Sequence, residues 1–168
     1  DLSPHFKIGE FCSPYSEADP TFVAVAPRLI ERLESARARL VAPDRPDPRL
    51  VILRAFLSPN EADQLRRKGL ALTEFSRHLY GDAVAVIVDQ DNDGVMDDLN
   101  ADGKADLLDV DYLSRVFEQI ERETRSYGGL GIHAGPTDPL LPKTPYLSVD
   151  CRGKRARWSS SGGRRTEE

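Results

Sequence analysis

The segment from Asp89 to Asp109 is the part of the chain that most constrains its fold. It holds eight of the 28 acidic residues and one lysine, a charge of −7, whereas the 168-residue chain carries −5, so the remainder is slightly basic at +2. Carboxylates packed this closely repel one another unless a cation lies among them. Acidity confined to one segment therefore indicates a bound cation and not a generally acidic surface.

Two overlapping loops in this segment have the spacing of calcium-binding loops, with oxygen ligands at alternate positions and glycine at the sixth. The first loop, D-Q-D-N-D-G-V-M-D-D-L-N, runs from 89 to 100, and the second, D-L-N-A-D-G-K-A-D-L-L-D, runs from 98 to 109. The glycine permits the sharp turn that brings the next carbonyl back to the ion. The predicted ligands are Asp89, Asp91, Asp93, the Val95 carbonyl and Asp97 in the first loop, and Asp98, Asn100, Asp102, the Lys104 carbonyl, Asp106 and Asp109 in the second.

This pattern predicts two calcium ions with a structural role. The ions would hold the strand that ends at Asp89 to the helix that starts near Asp109. Asn100 and Asp109 close the two loops in place of the bidentate Glu of a strong sensor, which indicates an affinity in the range of ~10⁻⁴–10⁻³ M. The alternative is an Asx-rich turn that binds no metal.

Hydrophobic periodicity predicts an α+β fold in a single domain over residues 1–158, followed by a disordered tail over 159–168. Proline clusters and glycines separate the elements. Predicted helices cover 21–40, 60–68 and the residues after 109, and predicted strands cover 49–57, 82–89, 129–134 and 145–151.

Composition excludes some functional classes. No apolar run is long enough for a membrane span, and the basic residues between Arg152 and Arg165 are too thinly spread to predict nucleic-acid binding. Cys12 and Cys151 stand near the two ends of the chain, as either a disulfide or two free thiols. The disulfide reading would suit an exported protein.

Three further segments form an ordered set of motifs: S-R-H-L-Y-G-D-A at 76–83, G-G-L-G-I at 128–132 and P-Y-L-S-V-D-C-R-G-K-R-A-R-W at 145–158. This set resembles the zinc D-Ala-D-Ala carboxypeptidases and related LAS-type peptidoglycan peptidases, whose core motif is S-x-H-x-x-G-x-A-x-D. The resemblance covers residues 6–158. It implies an LAS/Hedgehog-type fold, with a small antiparallel sheet flanked by helices and an EF-hand-like calcium loop inserted, in an exported periplasmic or extracellular protein.

The residues for zinc chemistry do not carry over with the resemblance. The family binds zinc through the His and Asp of the first motif and a His of a later H-x-H or H-x-D motif. His78 matches, but Ala85 stands at the Asp position, and Ser148 stands where the later His belongs, two residues before Asp150. Leu57 replaces an Arg that grips the substrate carboxylate. Zinc binding is therefore not expected.

Three functions remain open at this point. The first is a catalytically inactive, calcium-stabilised peptidase-like domain that binds peptidoglycan or a protein partner through the former active-site cleft. The second is an active zinc peptidase with ligands rearranged among His78, His133, Asp82 and Asp150. The third is a calcium-dependent scaffold or interaction domain with no link to the cell wall. The sequence leaves the partner and the oligomeric state undetermined.

Overall fold

A computed structural model describes residues 1–13, 22–70, 72–135, 141–160 and 165–167. These residues form the predicted α+β fold. The helices are α1 Pro27–Leu40, α2 Pro59–Arg67 and α3 Leu107–Thr124, with 3-10 turns at Ile8–Phe11 and Arg77–Tyr80. The strands are β1 Leu50–Arg54, β2 Ala83–Val88, β3 Gly129–His133, β4 Tyr146–Asp150, β5 Ala156–Ser160 and β6 Arg165–Glu167.

Local sequence explains where the helices begin. Pro27 opens α1 and Pro59 opens α2, positions where proline's fixed φ favours a first helical turn. Ser58 caps α2 by accepting the Glu61 N–H, and Asp106 caps α3 by accepting the Leu108 N–H. Within the described ranges, no helix is both long and apolar enough to cross a membrane.

The sheet is mixed, which corrects the prediction of an antiparallel one. Its order is β1-β2-β4-β3-β5-β6, and β3 pairs with β5 in parallel. The turn over 151–155 reverses the chain and carries it past β3, so β5 runs antiparallel to β4 and parallel to β3. The sequence also predicted a disordered tail from residue 159, whereas residues 159 and 160 belong to β5 and residues 165–167 pair with it as β6.

The two faces of the sheet have different coverings. Arg157 of β5 is paired with Glu118 and Glu121 of α3, so its row faces the helices. That row continues through Leu130 and Val149. Because neighbouring residues of a strand point to opposite faces, the adjacent row points away from α3. We call that second face the cleft face; it carries Arg54, Ala85, Ser148, Gly131 and Trp158 in register across five strands.

A bulge in β1 decides which residue joins this row. Ile52 pairs with Val86, but the next pairing joins Arg54 to Ala85, so Leu53 is the extra residue. Strand β2 is buried along its whole length and forms the centre of the core.

Cys12 and Cys151 are free thiols, which is the second of the two alternatives left open by the sequence.

Candidate functional site

The first acidic loop brings three carboxylates together at the end of β2. Asp89, Asp91 and Asp97 each offer one oxygen, and these oxygens lie within 4.8 Å of one another. Asp89 is buried at 2% exposure, where an ionised carboxylate needs compensation. This cluster could hold a metal ion. In the part of the chain that the structure describes, it is the one such group of three or more His, Cys, Asp or Glu side chains.

The two loops share one backbone conformation, repeated after nine residues. The Asp89 carboxylate accepts the N–H groups of Asp93 and Gly94 at 3.1 and 3.0 Å. The Asp98 carboxylate accepts the corresponding N–H groups of Asp102 and Gly103 at 3.3 and 2.7 Å. Each loop is therefore wrapped around its first aspartate, as the predicted spacing requires.

Backbone angles repeat in the same way. Asn92 and Ala101 at the fourth loop position have φ of 64° and 61°, and Gly94 and Gly103 at the sixth have φ of 82°. This left-handed conformation is strained for a side chain such as that of Ala101, whereas glycine adopts it readily. The glycines predicted from spacing thus stand where the turn needs them.

Asp109, the last predicted ligand of the second loop, accepts hydrogen bonds that join the two loops to α3. Asp109 is fully buried, and its Oδ1 accepts the N–H groups of Leu99 at 2.7 Å and Asn100 at 3.2 Å. Its Oδ2 accepts the Asp106 N–H at 2.7 Å, which completes the capping box of α3. The end of the first loop is thereby joined directly to the first turn of α3.

Not every predicted ligand joins the carboxylate cluster. Asp93 accepts the Val95 N–H at 2.8 Å, and Lys104 donates its N–H to Asp102 at 3.0 Å. The described carboxylates of the second loop do not form a group of three within the same distance. The structure therefore distinguishes a first loop with converging oxygens from a second loop held by turn and cap hydrogen bonds.

Charge accumulates at the cluster. Burial raises the pKa of Asp97, and the charges of Asp91 and Asp89 raise it further, while the hydrogen bond from the Gln90 N–H acts in the opposite direction. A cation placed among these oxygens would relieve that repulsion. Beside the cluster lies a cavity of about 270 Å³, lined by Asp44, Arg45, Gln90, Asp91, Asp97 and Asp98.

Residues outside the predicted motif anchor the first loop. The Asp97 N–H returns to the Val88 carbonyl at 2.9 Å, and the Met96 N–H donates to the Thr144 hydroxyl at 2.8 Å. Arg49, just before β1, donates to the Asn92 side chain at 2.6 Å. Thr144 and Arg49 were not predicted, because both contacts come from segments that are distant in sequence.

The positions that match the zinc motif border the cleft face. Ala85 and Ser148 are direct cross-strand partners. The His78 Nδ1 lies 2.6 Å from the Ala55 carbonyl, just after Arg54. Burial is the main cause that lowers the pKa of His78 to about 4, and the positive charge of Arg54 lowers it further. His78 is therefore a neutral, hydrogen-bonded histidine at neutral pH.

The carboxylates considered for a rearranged zinc site have other partners. Asp82 is paired with Arg77, and Asp150 accepts hydrogen bonds from Arg152 and from the Gly129 N–H at 2.8 Å. The pairing with Arg152 helps to lower the pKa of Asp150 against the effect of burial, which raises it. Among the described residues, these carboxylates do not form a three-residue group with His78 or His133 at metal-ligand spacing.

Ser148 and His133 form a contact that the sequence did not predict. The Ser148 Oγ lies 3.0 Å from the His133 Nε2. The His133 ring is stacked on the Tyr146 ring, with centroids 4.5 Å apart and an interplanar angle of 3°.

Leu57, at the position of the family's substrate arginine, is fully buried. Regular alternation along β1 would place Arg54 on the face of Ile52, toward α3. The bulge, which the sequence does not reveal, turns Arg54 to the cleft face.

The low pKa of His78 predicts a pH dependence of stability. Between the usual value of 6.5 and the folded value of about 4, the unfolded chain binds a proton that the folded chain does not. The free energy of unfolding should therefore fall as the pH drops through this window, by at most about 3 kcal/mol from this ring. Urea unfolding across pH 4–7 should show a shallower slope for His78→Asn, whose amide can replace the Nδ1 donor.

The matched control for this experiment is His5→Asn, which removes an exposed histidine that pairs with Glu34. Burial raises the pKa of Glu34, and hydrogen bonds from Ser3 and His5 lower it, so the control variant should keep the wild-type slope above about pH 5, where Glu34 no longer titrates. A proton NMR titration that places the His78 ring near 6.5 would contradict the prediction directly.

No family model matches the chain, and no curated protein matches it at a significant level.

Proposed function

We propose that this chain is a calcium-stabilised domain of the zinc D-Ala-D-Ala carboxypeptidase type that has lost the zinc reaction and binds peptidoglycan or a protein partner through the cleft face. One observation carries the proposal: β2 ends in the carboxylate cluster at Asp89 and, four residues earlier, presents Ala85 to Ser148 across the strands. Oxygen donors for a hard cation therefore follow β2 at Asp89, whereas Ala85 within β2 offers no donor atom to zinc.

Calcium is the ion that best suits the cluster. The donor atoms of the cluster are all carboxylate oxygens, which favour hard cations such as calcium. Zinc sites in proteins use mainly Cys and His. The shared backbone conformation of the loops supports a second ion in the second loop, where Asp109 would bind it while capping α3. Calcium would neutralise the charge that accumulates around Asp97 and would fix the link between β2 and α3.

The cleft face retains the place of the peptidase site without its metal ligands. Ala85 has no donor atom, and the Ser148 hydroxyl is a poor zinc ligand that is already within hydrogen-bond distance of His133. His78 alone provides too few donors for a zinc site of the usual three protein ligands. A binding role is left for a surface that combines Arg54, His78 and Trp158.

Calcium should stabilise the protein in proportion to its occupancy. At a calcium concentration about 100-fold above Kd, the free energy of unfolding should increase by about 2.7 kcal/mol per site. Asp89→Asn should abolish the gain from the first loop, because it removes charge from the buried centre of the cluster. Calorimetric titration and thermal unfolding with and without calcium provide the two measurements.

Asp63→Asn is the control, because Asp63 is an exposed aspartate of α2 in an ion pair with Arg66. This variant should respond to calcium as the wild-type chain does. Equal thermal unfolding of the wild-type protein in millimolar calcium and in chelator would exclude the calcium proposal.

Restoring two residues should rebuild a zinc site if the resemblance to zinc peptidases is correct. Cross-strand partners have Cβ atoms about 5 Å apart, so a carboxylate at position 85 and an imidazole at position 148 would face one metal together with His78. The double variant Ala85→Asp/Ser148→His should bind about one zinc per chain in metal analysis, and zinc should raise its Tm. The single variant Ser148→His should bind zinc more weakly, because it still lacks one of the three ligands.

The control for the rebuilt site adds His78→Ala to the double variant. This triple variant should lose zinc while keeping the far-UV circular dichroism of the double variant. A folded double variant with no zinc, or with zinc that does not depend on His78, would refute the assignment of the cleft to this family's active site.

Binding to the cell wall can be tested by co-sedimentation with purified peptidoglycan sacculi. The calcium-loaded protein should sediment with the sacculi, and a change in the cleft such as Arg54→Gln should weaken the affinity by about tenfold, the effect of roughly 1.4 kcal/mol. Lys68→Gln, an exposed change after α2, is the control. Failure of the wild-type protein to sediment would favour a scaffold function without a cell-wall ligand.

A further inference from the structure

We propose that Ser148 and His133 are the nucleophile and general base of a metal-independent acyl-transfer site on the cleft face. The substrate class is an ester or peptide carbonyl that can lie across β2 and β4. This inference uses the cleft of the proposed function, but it depends neither on calcium nor on peptidoglycan as the ligand. It adds a reaction to a surface proposed above for binding.

The geometry of the pair meets the first requirement of nucleophilic catalysis by serine. The Oγ-to-Nε2 distance of 3.0 Å lies in the range over which an imidazole accepts a proton from a hydroxyl. The parallel stack of His133 on Tyr146 fixes the plane of the imidazole, so its Nε2 stays directed at the hydroxyl. Both Ser148 and His133 are partly exposed, as a reacting pair must be.

The neighbours of Ser148 decide from which side a substrate can approach. On the cleft face its cross-strand partners are two small residues, Ala85 and Gly131. The Trp158 indole lies directly over Gly131, where it would meet any added Cβ, so that side is filled. Ala85, on the other side, is itself buried at 2% exposure. A substrate carbonyl would therefore approach over the partly exposed side chains of Ser148 and His133, with the partly exposed Arg54 beyond Ala85.

Arg54 stands at the far side of Ala85. It is the cross-strand partner of Ala85 and therefore lies in the same row as Ser148. A guanidinium carries five N–H donors, so Arg54 can keep the interactions that it has within the chain and still donate to a substrate oxygen. It would stabilise the negative charge that develops on the carbonyl oxygen.

The reaction balances without a metal or a redox partner. The Ser148 Oγ attacks the carbonyl carbon while its proton passes to the His133 Nε2, and the carbonyl oxygen becomes an oxyanion opposite Arg54. When the bond to the leaving group breaks, His133 returns the proton to that alcohol or amine. Water then attacks the acyl-serine ester with His133 as the base, which releases the acid and restores Ser148.

A fluorophosphonate reagent, which labels activated serines, tests this site in the wild-type protein. Calcium is kept in the buffer and 1,10-phenanthroline is added to remove zinc. Peptide mass spectrometry should locate the label at Ser148. His133→Gln should slow the labelling by about 100-fold, because it removes the base, and Arg54→Gln should slow it as well.

Ser159→Ala is the matched control, because Ser159 lies on β5, which is separated from the strand of Ser148 by β3, and in the row that faces α3. It should be labelled at Ser148 at the wild-type rate, and Ser148→Ala should not be labelled. No label on the folded wild-type protein, or a label confined to another residue, would overturn the proposal. Labelling that phenanthroline abolishes would also overturn it. None of these outcomes depends on whether the protein sediments with sacculi.

Discussion

The structure depends on how the link between β2 and α3 satisfies its carboxylates. This link follows β2, whose two faces are buried, and leads to α3, which packs on the sheet. The segment from Asp89 to Asp109 holds eight aspartates. Some of these carboxylates are stabilised by backbone N–H groups, which donate hydrogen bonds to Asp89 and Asp98 within their loops. The charge that remains has no partner among those N–H groups, and a hard cation is the simplest way to balance it.

The candidate metal centre and the cleft are joined by one strand. Asp89 follows β2 directly, and Ala85 lies four residues before it, about 13 Å along an extended chain. Asp109 extends the connection to α3 through the N–H groups of Leu99 and Asn100. Ion binding at the loops would therefore hold in place the strand that carries Ala85 on the cleft face.

Features encoded locally could be predicted from the sequence. The loop glycines and the run of small apolar residues in β2 each depend on a few neighbouring residues, and both were identified. The helix α3 was predicted after Asp109, whereas it begins at Leu107 and is capped by Asp106. Contacts made by register could not be predicted. The parallel pairing of β3 with β5 depends on the path of the chain after Cys151, and the contact of Ser148 with His133 depends on which residues of β3 and β4 face each other.

The extra residue in β1 has a consequence for the chemical character of the whole cleft. With regular pairing, Leu53 would stand opposite Ala85, and Arg54 would stand opposite Val84 in the row that faces α3. Regular pairing of the same sequence would exchange the two side chains, so that the guanidinium points toward α3 and the leucine joins the cleft face. Removal of Leu53, by contrast, would leave Arg54 opposite Ala85. The polarity of the cleft face thus depends on an extra backbone residue and not only on the identity of its side chains.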